Sequence, residues 1–122
     1  MELGKLEVYR LALKLSGEIW LVYEKLPKQL QFGIGDQSVR SIDSIGANIA
    51  EGYGRFHYKD SMKFYYYARG SLWESKHWLY LLANRNLMEK ARYEKMMDDI
   101  NLLGKKLNNF IESIKKKVQN GQ

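Results

Sequence analysis

The sequence predicts an all-α protein, an antiparallel up-down four-helix bundle, on three observations. One proline among 122 residues, 28% charged residues and no cysteine favour helices over a β-sandwich or a disulfide framework. Apolar residues recur at the 3.6-residue period of a helix along most of the chain. Short segments of turn-forming residues separate four such stretches, which is typical of helices packed against antiparallel neighbours. At this length we predict a single domain over residues 1–122.

The first two helices are bounded by proline and by capping residues. The first is predicted over residues 3–26, because Pro27 drives the preceding residue out of the helical region. A glycine-containing loop is predicted over residues 28–35. The second helix is predicted over residues 36–51, with Asp36 as its N-terminal cap.

Glycine and asparagine mark the limits of the other two helices. Residues 52–54 are expected to end the second helix, since glycine adopts the left-handed conformation of helix C-caps. The third helix is predicted over residues 58–83. Asn86 followed by Glu89 is typical of a capping box, which predicts a fourth helix over residues 87–118.

The second and fourth helices each have one apolar face at the helical period. The face of the second consists of Val39, Ile42, Ile45 and Ile49. The face of the fourth consists of Tyr93, Met96, Met97, Ile100, Leu103, Leu107, Phe110, Ile111 and Ile114. Each of these faces is predicted to lie in the core.

The first and third helices each have two apolar faces instead of one. In the third helix these are Phe64, Ala68, Leu72, Leu79 and Leu82, and separately Tyr66, Trp73 and Tyr80. In the first helix they are Leu6, Tyr9, Leu13 and Trp20, and separately Val8, Leu15, Ile19, Val22 and Leu26. A single bundle buries one face of each helix, so the surplus predicts a homo-oligomer. The predicted interface consists of Val8, Leu15, Ile19, Val22, Tyr66, Trp73 and Tyr80. Alternatively, the third helix buries both of its faces within one protomer.

A row of polar side chains lies opposite the apolar face of the second helix. Its members, at spacings of three and four residues, are Arg40, Ser44, Asn48, Glu51 and Arg55. Either this row is a solvated face, or it forms a polar seam against the third helix or a neighbouring subunit. The small residues between the two rows, Gly46, Ala47 and Ala50, would let another helix approach closely. Gly70, within the third helix, predicts a similar close approach.

No arrangement of residues predicts catalysis or metal binding. The two histidines, His57 and His77, have neither a nucleophile motif nor metal-ligand spacing beside them. Residues 33–36 lack the lysine and hydroxyl of a phosphate-binding loop. We therefore predict no catalytic residue, no metal, no cofactor and no enzymatic activity.

The net charge of +6 is unevenly distributed. Residues 1–57 have equal numbers of basic and acidic side chains, so the whole excess lies in residues 58–122. The candidate phosphate-binding residues are Lys59, Lys63, Lys76, Lys105, Lys106, Lys115, Lys116 and Lys117. Exposed tyrosines and tryptophans of the third helix would stack on unpaired bases. Alternatively, the lysine run at residues 115–117 only solubilises the end of a helix.

The sequence also predicts a cytoplasmic protein without a membrane partner. No apolar run approaches the roughly 18–20 residues of a membrane span. The first five residues lack the basic segment and apolar block of a signal peptide.

Residues 32–37 (FGIGDQ), 44–52 (SIGANIAEG) and Arg55 resemble a known family. This is the family of four-helix-bundle proteins encoded in intervening sequences of bacterial large-subunit (23S) ribosomal RNA genes. The similarity extends to residues 26–28 and through Phe64 and residues 68–72 to Glu74. Residues 29–30 stand where the family tends to be acidic, and Gly46 where proline is common; neither threatens the assignment.

The resemblance implies a ring of four-helix bundles, most simply a homopentamer, five copies of which would have about +30 in total. More distantly, the fold is similar to the basic pentameric accessory protein of diversity-generating retroelements, which associates with a reverse transcriptase and nucleic acid. The positions that match the family's polar signature are Arg40, Ser44, Asn48, Glu51, Arg55, Arg69, Ser71 and Glu74. We interpret these as structural and intersubunit contacts first and ligand contacts second.

The family implies a genomic context without a settled activity. The leading hypothesis is a non-enzymatic oligomeric accessory protein that binds structured RNA or a nucleic-acid-processing protein. The alternative is a protein-interaction scaffold whose charge only keeps it soluble.

Overall fold

The computed structural model describes residues 2–121, and within them four long helices form an antiparallel bundle. Helix α1 is Glu7–Lys25, after a short 3-10 turn at Leu3–Lys5. The other helices are α2, which runs without a break through Lys28–Leu30, Gln31–Gly35 and Asp36–Tyr53, then α3 at Tyr58–Asn84 and α4 at Lys90–Gln119. The described residues contain no β-strand, and the all-α prediction is confirmed.

The helices pack in a square in which α1 and α3 are diagonal. Both of them contact α2 and α4, and the bundle is closed by the packing of α1 on α4. All four helices contribute to the core, and the predicted apolar faces of α2 and α4 lie in it or pack against it. The α3 residues in the core are Tyr65, Ala68, Leu72, Leu79 and Leu82. The prediction of Phe64 as a core residue is wrong, because Phe64 is only partly buried and the neighbouring Tyr65 is buried instead. At the closest approach of α1 and α2, a Cβ on Gly46 would lie 3.5 Å from that of Ala12. Small residues between the faces of α2 thus admit a neighbouring helix, as predicted.

The predicted interface on α1 is wrong, because those residues form the core of the protomer. Val8, Leu15, Ile19 and Val22 are all buried in the described structure. The other apolar face of α1 is the outer one, and its Leu13 and Trp20 are about half exposed, at 50% and 51%. The aliphatic side chains of the predicted interface therefore face the space between the four helices, whereas Trp20 lies at the surface.

The predicted loop over residues 28–35 is also wrong, since this segment is helical from Lys28 onward. Its second part, Gln31–Gly35, is a π-helical turn. Asp36 therefore lies inside α2 with helical torsion angles, and it is not an N-terminal cap. Packing around Gly35 is tight, since a Cβ there would lie 3.0 Å from Leu26 Cδ1 and 3.1 Å from Tyr23 Cδ2.

At the end of α2, glycine serves packing and not a left-handed cap. The helix continues through Tyr53, and Gly54 has a right-handed φ of −77°. Gly52 is buried beneath the ring of Tyr65 on α3, whose Cε1 would lie only 2.6 Å from a Cβ at position 52. The absence of a side chain lets α2 and α3 approach at this level.

The connection between α3 and α4 differs from the predicted capping box. Asn86 has a φ of 58°, in the left-handed region, so it ends α3 and does not begin α4. The Leu87 N–H donates to the Leu82 carbonyl at 2.8 Å, and the Asn86 N–H to that of Ala83 at 3.0 Å. These are the two hydrogen bonds of a Schellman motif, with Asn86 in the place usually taken by glycine. Helix α4 consequently starts at Lys90, three residues later than predicted.

Candidate nucleic-acid interface

Five of the eight predicted phosphate-binding lysines lie at one end of the bundle. At this end α2 stops, α3 starts and α4 stops, and the lysines there are Lys59, Lys63, Lys115, Lys116 and Lys117. Lys59 on α3 and Val118 on α4 line one shallow pocket, which places the two helix ends side by side. Together with Arg55 of the α2–α3 connection, we call these residues the basic end. Residues 51–64 and 110–121 contain six basic and three acidic side chains.

The other three predicted lysines are not part of the basic end. Lys76 lies thirteen residues beyond Lys63 on α3, about 20 Å along the helix. Its Nζ is 4.1 Å from the centroid of the Trp73 ring. Lys106 pairs with Glu7 of α1 at 3.4 Å. Lys105 is exposed near the middle of α4. The structure therefore divides the predicted set and brings only five members together.

An aromatic cavity of about 490 Å³ opens beside the basic end. It is formed where the ends of three helices and the segment before α1 meet. Its lining residues are Leu6, Gly52, Tyr53, Arg55, Phe56, Tyr58, Ser61, Tyr65, Phe110, Ile114 and Lys117. Five of these eleven are aromatic, two are cationic and none has a carboxylate.

The inner wall of the aromatic cavity is rigid and well packed. The Tyr65 ring is buried and meets the Phe110 ring edge to face, with 4.9 Å between the centroids. Burial, more than any other cause, raises the pKa of Tyr65 above its ordinary value of 10.0. The Ser61 hydroxyl donates to the Tyr58 carbonyl at 2.7 Å and thereby tightens the first turn of α3.

The outer rim of the cavity combines cations with exposed rings. Lys117 lies with its Nζ 4.8 Å from the centroid of the Tyr58 ring and donates to the Tyr58 hydroxyl at 3.4 Å. The Arg55 guanidinium lies 4.5 Å from the centroid of the Phe64 ring and donates to Glu51 Oε1 at 2.7 Å. Phe56 is 93% exposed at the rim. The arrangement offers stacking surfaces and positive charge within a few ångströms of one another.

Most of the cavity was missed by sequence reasoning, although the sequence contains a signal for it. Seven of the sixteen Phe, Tyr and Trp residues fall within residues 53–67, interleaved with Arg55, Lys59 and Lys63. Helical periodicity assigns only some of those rings to the core, and the remainder are free to form a binding surface. Alternating aromatic and basic residues of this kind are typical of single-stranded nucleic-acid sites.

The predicted polar seam exists between α2 and α3, but serines form most of it. Ser71 Oγ donates to Ser44 Oγ at 3.0 Å, and Asn48 Nδ2 donates to the same oxygen at 3.0 Å. One turn away, Ser75 Oγ on α3 lies 3.1 Å from Ser41 Oγ on α2, and both side chains are buried. Ser41 and Ser75 were not among the predicted residues.

The remaining predicted seam residues do not cross between α2 and α3. Glu51 and Arg55 form the predicted i,i+4 ion pair, and Arg40 is exposed. Arg69 donates to Asn108 of α4 at 3.4 Å, and Glu74 accepts from the Trp78 indole N–H at 2.9 Å. The Glu51–Arg55 and Glu74–Trp78 bonds each join residues four positions apart in the chain, and the Arg69 bond reaches α4.

A pair of carboxylates lies between α1 and α4, away from the basic end. Glu18 on α1 is 7% exposed, and its Oε2 lies 3.6 Å from Lys95 Nζ. Asp99 faces it and pairs with Lys14 at 3.5 Å. Burial first, and then the neighbouring Asp99 carboxyl, raise the pKa of Glu18 above its ordinary value of 4.5. Within residues 2–121, no three His, Cys, Asp or Glu side chains converge in a metal-binding arrangement.

Apolar side chains remain exposed on the outer faces of α1 and α3. On α3, Tyr66 is 38%, Trp73 63% and Tyr80 57% exposed. On α1 the exposed residues are Leu13, Trp20 and Leu21. The alternative in which α3 buries both of its apolar faces inside one protomer is therefore wrong. No helix in residues 2–121 has the length and apolar character needed to span a membrane.

Comparison with known proteins identifies relatives of this fold. A family model described as 23S rRNA-intervening sequence protein matches residues 4–109. The fold is similar to a crystal structure of a protein of unknown function from the S23 ribosomal protein family of Bacteroides thetaiotaomicron. The two share 28% sequence identity and a TM-score of 0.79, over 85% of this chain and 97% of that chain. No curated protein matches this chain.

Proposed function

The chain belongs to the 23S rRNA-intervening sequence protein family, and from this premise we propose that it is a non-enzymatic, oligomeric accessory protein that binds structured RNA. The observation on which this proposal depends is the juxtaposition of the basic end and exposed aromatic rings. Lysines at this end would neutralise phosphates, while Phe56 and Tyr58 would stack on bases. We place this activity in the cytoplasm, where ribosomal RNA is found.

Structured RNA fits this surface better than a uniform duplex does. The aromatic rings of the basic end need unpaired bases to stack on, and RNA loops and bulges present such bases. Lys117 lines the cavity with the rings, and Lys59 lines the neighbouring pocket at the same end, so phosphates beside an unpaired base would find cations. Duplex RNA would engage the charges alone.

Two exposed glycines support the oligomeric part of the proposal. At Gly17 in α1 and Gly70 in α3, nothing beyond the adjacent residues and the local helix backbone lies within 4 Å of the place a Cβ would occupy. A glycine inside a helix costs about 1 kcal/mol relative to alanine, and packing within the protomer does not explain this cost. Close approach of a helix from a second copy explains it at both positions.

The apolar residues around the two glycines follow the same spacing. Leu13 and Trp20 stand four residues before and three after the glycine of α1, and Tyr66 and Trp73 do the same on α3. Because α1 and α3 are diagonal, their outer faces point away from each other. Pairing α1 of one copy with α3 of the next is a head-to-tail contact, and such a contact forms a ring when the rotation between successive copies closes. We take the ring to be the homopentamer implied by the family resemblance.

The RNA-binding proposal is tested by titrating fragments of 23S ribosomal RNA with the protein between 50 and 200 mM salt. If the six cations of the basic end contact phosphates, log K should fall with log salt at a slope of about −4 per protomer. The triple variant K59Q/K115Q/K116Q should bind more weakly and with a shallower slope. Its matched control, K25Q/K28Q/K90Q, removes the same charge from the opposite end and should bind like the unmodified protein.

Two results would contradict the proposal. The first is absence of binding at 50 mM salt, and the second is an affinity that does not change with salt. Equal losses in both triple variants would assign binding to the overall charge and not to the basic end.

The exposed tyrosines and tryptophan of α3 support a second candidate, a scaffold that binds a partner protein. Aromatic residues of this kind are enriched at protein interfaces. In that case a partner protein should co-purify after nuclease treatment and in high salt, and Trp73→Glu should release it. Loss of the partner on nuclease treatment would exclude the scaffold.

A further inference from the structure

The lining of the aromatic cavity defines the shape of the group it accepts. The rings of Tyr53, Phe56, Tyr58, Tyr65 and Phe110 line it, and a lining rich in aromatic rings favours a flat, π-rich group. Gly52 and Tyr65 both line the cavity. Because Gly52 has no side chain, its backbone lies directly against the Tyr65 ring. A flexible aliphatic chain would fill such a space less well than a planar ring.

The charges at the rim define the second property of the ligand. Lys117 and Arg55 line the cavity, and no lining residue has a carboxylate. Lys117 belongs to no ion pair among residues 2–121, so its ammonium is held by the Tyr58 ring and hydroxyl alone. A cation held in this way is available to an anion that enters beside the ring. The matching ligand is both planar and anionic.

The size of the cavity limits the ligand to one such unit. Its volume of about 490 Å³ lies within the usual range of roughly 300–1,000 Å³ for small-molecule sites. A single nucleotide fits this range, whereas a base pair in a duplex cannot leave its stack to enter a pocket between helix ends. The position beside the basic end provides further cations for neighbouring phosphates.

We infer that the aromatic cavity binds one unpaired nucleotide of an RNA strand, with its base against the tyrosine and phenylalanine rings and its phosphate at Lys117 and Arg55. This inference rests on the proposed RNA-binding function and assigns to it a site for a flipped-out base. Lys59, Lys115 and Lys116 then contact the phosphates on either side. The base, and not only the backbone, contributes to affinity.

The test uses a short single-stranded RNA with one 2-aminopurine, whose fluorescence falls when the base stacks on an aromatic ring. Binding should quench the fluorescence, and an otherwise identical strand with an abasic site at that position should bind about tenfold more weakly. Phe56→Ala should remove most of the quenching and reduce affinity by a similar factor without changing the salt slope. Lys117→Gln should reduce the magnitude of the salt slope by about 1.

Matched controls exist at the opposite end of the bundle. Phe32 is 74% exposed on the π-helical turn of α2, so Phe32→Ala removes an exposed ring far from the cavity and should leave quenching unchanged. Lys90→Gln is the corresponding control for charge. Because Phe56 is almost fully exposed, its truncation should preserve the helical circular dichroism spectrum.

The outcomes separate this inference from the proposed function. If the RNA binds with the expected salt slope but Phe56→Ala and the abasic strand behave like their controls, the cavity assignment is wrong while the proposed function stands. If no RNA binds at low salt, both fail. If free adenosine 5′-monophosphate binds as tightly as the oligonucleotide, the cavity takes a free nucleotide and the RNA assignment is overturned.

Discussion

The Glu18 carboxyl lies between α1 and α4, where Asp99 faces it and Lys95 reaches it from α4. Its burial disfavours the charged form, and Asp99 disfavours it further, so the pKa of Glu18 is raised above 4.5. Between 4.5 and the higher pKa of the folded state, the folded protein binds the proton more tightly than the unfolded chain. The contribution of this group to stability is therefore greatest at the acidic side of that window and is lost as the pH rises through the folded pKa.

Replacing Glu18 with glutamine should stabilise the protein at neutral pH. Glu18→Gln keeps the shape of the side chain and removes the buried charge, and we expect a gain of about 1 kcal/mol at pH 7.5. The gain should shrink as the pH falls toward 4.5, because the native carboxyl becomes protonated there. Urea unfolding at a series of pH values measures this effect.

The exposed Glu24 on the same helix provides the control for that experiment. Glu24→Gln should change stability little at any pH, since exposed charges contribute little. A loss of stability in Glu18→Gln at pH 7.5 would show that the attraction of Lys95 for the charged carboxyl outweighs the cost of burial.

At the scale of elements, the contact of α2 with α3 depends on the missing side chain of Gly52. A Cβ at this position would lie 2.6 Å from Tyr65 Cε1, so the ring or the helix must move. Gly52→Ala should therefore destabilise the protein by about 1–3 kcal/mol despite the better helix propensity of alanine. Thermal unfolding followed by circular dichroism measures the difference.

Gly104 on α4 is the matched control for the packing of Gly52. A Cβ there would lie 3.6 Å from Leu72 Cδ2, an ordinary van der Waals distance. Gly104→Ala should be neutral or stabilising by up to about 1 kcal/mol, because alanine has a higher helix propensity than glycine and the added Cβ meets no clash. Equal behaviour of the two alanine variants would contradict the packing explanation.

Helical periodicity predicts the long helices well and their irregular ends poorly. Helix α3 runs from Tyr58 to Asn84, one residue beyond the predicted end, because its apolar residues repeat regularly between clear boundaries. Residues 28–35 follow Pro27 and contain two glycines, a composition that is typical of loops. The same composition also occurs in the π-helical turn found here, so it does not distinguish the two. In the structure this segment is helical, and position 35 lies close to Leu26 and Tyr23, a proximity that the sequence does not reveal.

The two apolar faces of α1 show a second limit of periodicity. Both repeat at the helical period, so the sequence alone does not decide which one faces the core. Polarity is misleading too, because Glu18 stands on the buried side and Trp20 on the exposed side. The choice follows from the shape of the space left by α2 and α4, which is a property of the assembled bundle.

At the scale of the whole molecule, the candidate site is assembled from segments far apart in the sequence. The antiparallel bundle brings three helix ends together, and only for this reason do its lining residues meet. They include Gly52 and Arg55 near the end of α2, Tyr65 of α3, and Phe110 and Lys117 of α4. The sequence predicts the excess of positive charge in residues 58–122. It does not predict which lysines share one end, because that depends on the lengths of α3 and α4.

The outer faces of α1 and α3 lead to the last expectation, which concerns assembly. The apolar residues of these faces are exposed in one protomer, and each face contains a helix glycine with open space above it. We expect the unmodified protein to form a ring in sedimentation experiments. Trp73→Glu and Leu13→Glu each place a charge in one of the two faces, and each variant alone should sediment as a monomer of 14.4 kDa.

Mixing those two variants distinguishes head-to-tail assembly from symmetric pairing. Trp73→Glu retains an intact α1 face and Leu13→Glu an intact α3 face, so an equimolar mixture should form a heterodimer of twice the monomer mass. Growth must stop there, because both remaining faces contain the introduced charge. A mixture that stays monomeric would exclude the pairing of α1 with α3, and a full ring in either single variant would exclude the altered face from the interface. Unchanged helical circular dichroism in both variants confirms that the bundle itself is intact, since Leu13 and Trp73 lie outside the core.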